Sequence, residues 1–304
     1  MSKIEKVRGA AGGFYEIGQR LKAYRLGAGL SPEEVAERLG VSRAAMYRIE
    51  AGHVVKIETL ERLAHVLGTS VASLLGVGVE YYARATGYFE RMRQLEMESE
   101  KVIAHFEPFS YLLTSPSYTD HLRQMLIEAI PKQGINRSMA LKEVENCLAV
   151  LAGRKENASV RRPSIVSIVS LSELQRFVSL GMVGRLDLPA KVKAERVELA
   201  RQELKHLAEL MDDEPMGVQI GLVEETLPGV TFQIFQSPSG ARLAVSPFRL
   251  GELPNIRNGI ATVTESPEAV QFYTQFADDL WRRAIKGTRG AALLRQMLKR
   301  SKRN

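Results

Sequence analysis

The first regular pattern of apolar positions lies shortly after the start of the chain. Ile17, Leu21 and Tyr24 recur at spacings of four and three residues, which places them on one face of a helix. The Gly-Ala-Gly at 27–29 predicts the end of that helix. Residues 1–15 mix Gly, Ala, Lys and Arg without such a period, and we interpret them as a flexible arm.

Four further short helices are predicted up to residue 76. A serine begins three of them, because its hydroxyl oxygen can accept a hydrogen bond from a free N–H of the first turn. A glycine follows the last apolar position of the second, third and fourth helices. The serines are Ser31, Ser42 and Ser70, and the glycines are Gly40, Gly52 and Gly68. The pattern changes around residues 76–78, and we place a domain boundary there.

Residues 79–285 contain segments with the helical spacing of apolar residues and segments in which apolar and polar residues alternate as in a strand. The predicted helices lie near 80–106, 118–130, 138–153, 171–181, 191–211 and 267–285. SIVSIVS at 164–170 predicts a strand, as do the alternating runs VQIGLVE, VTFQIFQ, ARLAVSPF and GIATVTE, with a hairpin turn at 237–240. The predicted architecture is therefore an all-α five-helix domain at 16–76, followed by a mixed α+β domain with an antiparallel sheet.

The charges of the chain are unevenly distributed. The formal net charge is +7, yet residues 16–76 hold eight basic and seven acidic residues. The stretch after Asp279 holds nine basic residues and no acidic one, so the basic character belongs to the C-terminal end. We interpret 286–304 as a basic tail, which is either a solvated end or a nonspecific electrostatic arm. Its apolar residues have helical spacing: Ala291, Leu294 and Leu298.

The composition is that of an ordinary globular protein. No apolar run reaches the roughly 18 residues that a membrane span needs. The first 15 residues lack the apolar segment of a signal peptide. Cys147 is the single cysteine, which excludes an intrachain disulfide. We therefore expect a cytoplasmic protein with no membrane partner.

Residues 30–52, LSPEEVAERLGVSRAAMYRIEAG, have the features of a helix-turn-helix. Two short helices must cross closely around a tight turn, which requires a small residue at the crossing and favours glycine in the turn. Ala36 and Gly40 supply these two residues. The apolar residues that would face the core from both helices are Val35, Leu39, Val41, Met46 and Ile49.

With this motif inside five helices, residues 16–76 resemble the lambda-repressor-like domain of the xenobiotic-response-element family of bacterial and phage regulators. The resemblance covers about a fifth of the chain. It implies an all-α DNA-binding domain that binds double-stranded operator DNA, usually as a homodimer. The protein would then be associated with the nucleoid when bound to DNA.

The third helix is the predicted reading element, because the N-terminal residues of such a helix approach base edges in the major groove. Arg43 and Arg48 can each hold a guanine through O6 and N7, and Ala44 can touch a thymine methyl group. Ser42 can cap the helix or donate to a phosphate, while Tyr47 can either contact DNA or pack. The predicted DNA-binding residues are Ser42, Arg43, Ala44, Tyr47, Arg48 and Lys56.

The resemblance implies one structural pair and shows one departure. In the family, an arginine on the first helix pairs with a glutamate that ends the third helix, and Arg25 and Glu50 match those positions. The family often has glutamine in the first turn of the second helix, where this chain has Pro32. Proline has neither an N–H nor a polar side chain, so that phosphate contact is lost or moved, and Lys56 is a candidate to replace it.

Motifs of catalysis and metal binding are absent from the sequence. The five histidines do not occur in HExxH spacing, a single cysteine rules out CxxC, and neither GxSxG nor a glycine-rich phosphate loop occurs. We expect no enzymatic activity, no cofactor and no metal.

The second domain exceeds what dimerisation alone requires, which favours a dimeric repressor whose C-terminal domain senses a small molecule or peptide. One alternative is an antitoxin-type regulator whose C-terminal domain binds a protein toxin. A purely architectural DNA-binding protein is another.

Overall fold

The computed structural model describes residues 3–53, 55–161, 163–225, 227 and 230–300. Its first five helices are α1 (Lys3–Gly27), α2 (Pro32–Leu39), α3 (Arg43–Glu50), α4 (Ile57–Leu67) and α5 (Val71–Leu75). The structure differs from the predicted arm, because residues 3–15 continue α1. Alanine, lysine, arginine and glutamate favour helix strongly enough to extend it past its amphipathic part. Residues 1 and 2 lie outside the described residues.

Serine side chains begin these helices as the pattern predicts. Ser31 Oγ accepts from the Glu34 N–H at 3.1 Å, and the Glu34 carboxylate accepts from the Ser31 N–H at 2.6 Å. Such a reciprocal capping box satisfies two N–H groups that the helix itself leaves free. Ser42 Oγ accepts from the Ala45 N–H at 3.2 Å, and Ser70 caps α5 in the same way. These local contacts fix where α2, α3 and α5 begin.

The rest of the chain forms strands of one sheet and the helices that pack on it. The strands are β1 (Val79–Tyr82), β2 (Lys101–His105), β3 (Ser164–Ser170), β4 (Val218–Val223), β5 (Thr231–Ser237), β6 (Gly240–Ser246), β7 (Ala261–Thr264) and β8 (Ile285–Lys286). The helices are α6 (Ala85–Glu98), α7 (Tyr118–Glu128), α8 (Arg137–Arg161), α9 (Leu171–Leu180), α10 (Ala190–Asp213), α11 (Pro267–Arg283) and α12 (Gly287–Arg300), with a 3-10 turn at Tyr111–Leu113.

The single helix predicted over 80–106 is wrong, because β1, α6 and β2 share that stretch. The short apolar run at 102–106 has no period that separates a helix from a buried strand. Pairing decides the matter, since β2 lies between β3 and β5 and makes hydrogen bonds to both.

The sheet has the strand order β1-β7-β6-β5-β2-β3-β4-β8 and is mixed. β2, β3 and β4 are parallel to one another, and the other neighbours are antiparallel. The predicted antiparallel sheet is therefore wrong for these three strands. The helical connections α7–α8 and α9–α10 return the chain to the same edge, which parallel pairing requires. The predicted hairpin is present, with Ser237 opposite Gly240.

Alternate residues of the strands face two separate cores. On β2, Val102 and Ala104 join the larger core, which also includes side chains of α6, α8, α10 and α12. Ile103 joins a second core with Ile234 of β5 and Leu280 of α11. The sheet thus has several helices on its first face and α11 on its second.

The five N-terminal helices and the sheet share the larger core. α1 crosses α6 where Gly27 meets Gly87, and a Cβ on Gly87 would lie 2.8 Å from the Ala23 carbonyl oxygen. The ring of Tyr24 stacks on that of Tyr82, with centroids 4.8 Å apart. The predicted boundary lies immediately before β1, but the division into separate domains stays a prediction.

A buried ion network also joins α1 to the sheet. Arg20 Nε and Arg91 Nε donate to the two oxygens of Glu80 at 2.8 and 2.9 Å, and the Tyr82 hydroxyl donates to the same carboxylate at 2.6 Å. Burial raises the pKa of the Glu80 carboxyl, but Arg91 and Arg20 outweigh it and hold the pKa below its usual range. The carboxylate therefore stays charged between its two guanidinium partners.

The segment predicted as a basic tail packs on the protein as far as Arg300. Ala291, Leu294 and Leu298 of α12 are buried against α10. Arg295 also forms an ion pair with Asp212 of α10. The solvated-end alternative is therefore wrong for α12, and residues 301–304 lie outside the described residues.

Candidate nucleic-acid interface

α2 and α3 cross around a tight turn. Gly40 has a left-handed backbone (φ 66°), which reverses the chain direction, and the Val41 N–H donates to the Ala36 carbonyl at 3.0 Å. Ala36 is buried at the crossing, where a larger side chain would separate the helices. The fully buried apolar side chains of the two helices are Val35, Ala36, Leu39 and Met46, with Val41 and Ile49 half-buried beside them.

The outward face of α3 carries the side chains that the motif selects. Arg43, Ala44, Tyr47 and Arg48 are exposed along it, and Ser42 caps its start. The structure therefore brings five of the six predicted residues together on one solvent-facing surface. Their contact with bases stays a prediction.

Lys56, the sixth predicted residue, lies at the start of α4. Its exposed side chain makes no cap for the helix. The N–H groups of Thr59 and Leu60 donate to the Lys56 carbonyl, and the helix provides no partner for those of Ile57 and Glu58 before them. A lysine beside the first N–H groups of a helix, at its positive end, suits a phosphate.

Glu33 of α2, which is not among the predicted DNA-binding residues, also faces this surface. Its carboxylate forms an ion pair with Arg43 Nε and accepts from the Tyr47 hydroxyl at 3.4 Å. Arg43 Nη2 in turn donates to that hydroxyl at 3.4 Å. The hydrogen bond to Tyr47 and the charge of Glu33 raise the pKa of Arg43, so its guanidinium stays charged. From the sequence alone, Glu33 is explained by its place in the first turn of α2, where an acid suits the helix dipole.

On the inner side, α3 is fixed by a second arginine–glutamate pair. Arg25 Nε and Nη2 donate to the two carboxylate oxygens of Glu50 at 2.5 and 3.1 Å. Arg25 Nη1 also donates to the Leu30 carbonyl at 2.9 Å. Both charged side chains are buried. The contact joins α1 to the last residue of α3 and to the segment that leads into α2.

Two glycines let the end of α3 approach α1. A Cβ on Gly18 would overlap the Glu50 carbonyl oxygen. At Gly52, which has φ 90°, a Cβ would lie 2.6 Å from Tyr15 Cα. Gly18 was not predicted to lie at a contact, but a glycine inside a helical pattern is the signal that marks one.

No cluster of three or more His, Cys, Asp or Glu residues in the described part of the chain has the arrangement to hold a metal ion. The helices that the structure describes are too short or too polar to cross a membrane. Burial raises the pKa of the Cys147 thiol to about 12, so this thiol is a core group rather than a nucleophile.

Residues 16–75 match a family model described as a helix-turn-helix domain. No curated protein and no solved structure matches the chain. The chain therefore carries a helix-turn-helix DNA-binding segment. The family match does not extend to the sheet region, which follows residue 75.

Proposed function

We propose that the protein is a sequence-specific transcriptional regulator that binds its operator as a homodimer and represses transcription. The outward face of α3 carries the proposal. Arg43 and Arg48 lie exposed there, on a helix whose far end is held by the buried pair of Arg25 and Glu50. A helix held in this way presents both guanidinium groups from a fixed backbone, so only the two side chains lose freedom when DNA binds.

Dimerisation follows from the size of the reading surface. One helix-turn-helix makes few contacts, and specific affinity needs two of them on half-sites about 34 Å apart or a multiple of that distance. The near-neutral charge of residues 16–76 strengthens this requirement, because few phosphates are neutralised by each copy. A dimer that covers its operator excludes other proteins from it, which favours repression.

A cleft between the helix-turn-helix and the sheet region supports a sensing role. It has a volume of about 590 Å³, with Lys22 and Arg25 on one wall and Arg93 and Lys142 on the other. Asn157 lines the same cleft, and its buried Nδ2 has no hydrogen-bond partner among the residues that the structure describes. A small polar effector bound here would contact α1, α6 and α8 together. It would thereby act on the arginine that holds α3.

The test is selection of binding sites from a random duplex library by the full chain, followed by titration of the selected site. Arg43→Ala and Arg48→Ala should each weaken specific binding by about 1–3 kcal/mol, because each removes a two-point contact to a base. Arg123→Ala is the matched control, since Arg123 is an exposed arginine of α7. It should bind like the wild type, and all three variants should keep the wild-type melting temperature.

Wild-type affinity in both α3 variants would contradict the assignment of this face. A library that returns no preferred sequence would contradict the regulator as a whole.

A further inference from the structure

The cleft between the helix-turn-helix and the sheet region follows one face of α8. The residues of α8 that line it run from Lys142 to Asn157, a distance of about 22 Å at 1.5 Å of rise per residue. The opposite wall is formed by the end of α1, the start of α2 and two residues of α6. A cavity of about 590 Å³ drawn out over this length is narrow. Its shape therefore suits an elongated ligand.

Two asparagines on this face of α8 have amide groups that can bind a ligand. Asn157 Nδ2 is buried without a hydrogen-bond partner, and the half-buried Asn146 side chain makes no hydrogen bond either, among the residues that the structure describes. An amide side chain both donates and accepts, so each can pair with a peptide unit. The two lie on the same face about 16 Å apart along the helix. A ligand that contacts both must be as long as about five extended residues.

The charges on the walls cancel. Arg25 is paired with Glu50, and Arg93 donates to the two oxygens of Glu90 at 2.7 and 2.8 Å. Lys22 Nζ lies 3.7 Å from the same Glu90 carboxylate. The remaining charged side chains of the cleft are exposed and of both signs: Lys142, Glu34 and Glu156. With Glu50 counted, four cations face four carboxylates, so the walls do not select a highly charged ligand such as a nucleotide.

Apolar surface lies between the two asparagines. Ala149 is exposed there and Val150 is half-buried, while Leu26 and Leu30 are half-buried in the opposite wall. None of the residues that line the cleft is aromatic, so a nucleobase has no ring to stack on. Amide groups at two ends and apolar contacts between them suit a chain with a polar backbone and small apolar side chains.

We propose that the cleft binds a short peptide with small apolar side chains, which lies extended along α8. Its backbone bonds Asn146 and Asn157, and its side chains pack on Leu26 and Val150. This inference rests on the proposed function, in which a ligand of the cleft acts on Arg25, and it names the class of that ligand. Because Arg25 holds the end of α3, a saturating peptide should change operator affinity by at least about 5-fold.

The probe is a displayed library of random heptapeptides, panned on the immobilised full chain and counter-panned on Ala149→Phe. Ala149 is exposed in the cleft, so the added ring fills the groove without entering the core. Ala152→Phe is the matched control, because Ala152 is exposed on α8 and does not line the cleft. An enriched peptide labelled with fluorescein should bind the wild type and Ala152→Phe equally in an anisotropy titration. Its dissociation constant should rise at least about 10-fold in Ala149→Phe.

A second variant removes a hydrogen bond instead of blocking the groove. Asn157→Leu keeps a side chain of similar size without its amide. The dissociation constant of the peptide should rise about 5-fold, which is the effect of one hydrogen bond. The melting temperature should not fall, since the amide nitrogen has no partner to lose among the described residues.

An enriched peptide that binds Ala149→Phe as tightly as the wild type overturns the proposal. So does a library without enrichment, or a saturating peptide that leaves operator affinity unchanged. Stabilisation by ATP in a thermal shift assay, lost in Ala149→Phe, would assign the cleft to an anion and overturn the peptide as well. If the peptide binds in the cleft but the chain selects no DNA sequence, the peptide site stands and the proposed function fails.

Discussion

The two sides of α3 hold the same kind of ion pair in opposite surroundings. On the inner side, Arg25 and Glu50 leave 6% and 9% of their side chains exposed. On the outer side, Arg43 and Glu33 leave 68% and 42% exposed. The buried pair cannot open without leaving a charge in the core, which is costly. The exposed pair contributes little to stability, so its arginine can exchange a carboxylate for DNA.

This contrast separates two tasks within one eight-residue helix. The inner pair sets where the helix lies, and the outer pair holds a guanidinium that can leave its carboxylate for DNA. Substitutions on the two sides should therefore differ in kind, with changes of stability on one side and changes of DNA binding on the other.

The largest effect is expected from the inner pair. Arg25→Ala should lower the free energy of unfolding by about 3–5 kcal/mol, because Glu50 would remain buried without its partner. Urea denaturation of the full chain measures the loss. Replacing both residues by methionine should recover most of it, since no charge is then left in the core. Normal stability with selective loss of DNA binding would make Arg25 a contact residue instead.

A smaller loss is expected where α1 and the end of α3 approach each other. Gly18→Ala should destabilise the chain by about 1–3 kcal/mol, since its Cβ would overlap the Glu50 carbonyl oxygen. Gly153→Ala is the control, because in α8 the added Cβ would meet only Arg93 Cδ at 3.5 Å. Thermal unfolding should show a stability gain of up to about 1 kcal/mol for that variant. If both substitutions changed stability equally, the close approach of α1 to the end of α3 would not be the cause of the loss.

The smallest effect is expected on the outer side. Glu33→Gln should leave stability within about 0.5 kcal/mol of the wild type. It should strengthen DNA binding by up to about 1 kcal/mol, because a carboxylate that competes for Arg43 is removed. The gain should shrink as salt is added, since the contact is exposed. Glu145→Gln is the control, since Glu145 is an exposed acid of α8. An equal gain in DNA affinity for this variant would mean that only the net charge of the protein matters.

The N-terminal helices were predictable because their signals are local. Ser31 and Gly40 mark the two ends of α2 through contacts within a few residues, and those contacts are present. The outward face of α3 follows from the same motif. Glu33 was not assigned to the DNA-binding face, because its partner lies across the turn and a first-turn acid already has a local explanation in the helix dipole.

The sheet depended on contacts that no local pattern encodes. Val102 and Ile103 belong to a short apolar run that fits a helix or a strand, and only pairing with distant strands selects the strand. For α12 the spacing of Leu294 and Leu298 was visible in the sequence. The sequence did not indicate that α10 is the helix against which they are buried, because the two helices are far apart along the chain.

α1 packs both on the helix-turn-helix and on the sheet region, and this limits how the protein can be re-engineered. A helix-turn-helix is commonly treated as a part that can be transplanted from one regulator to another. Here Arg20 has its carboxylate partner Glu80 in the sheet region, and Gly27 fits against Gly87 there. A graft of residues 16–76 onto an unrelated partner would leave Arg20 without Glu80 and would expose the helix surface around Gly27. New DNA preferences are therefore better sought by exchanging side chains on the outer face of α3 than by exchanging the whole segment.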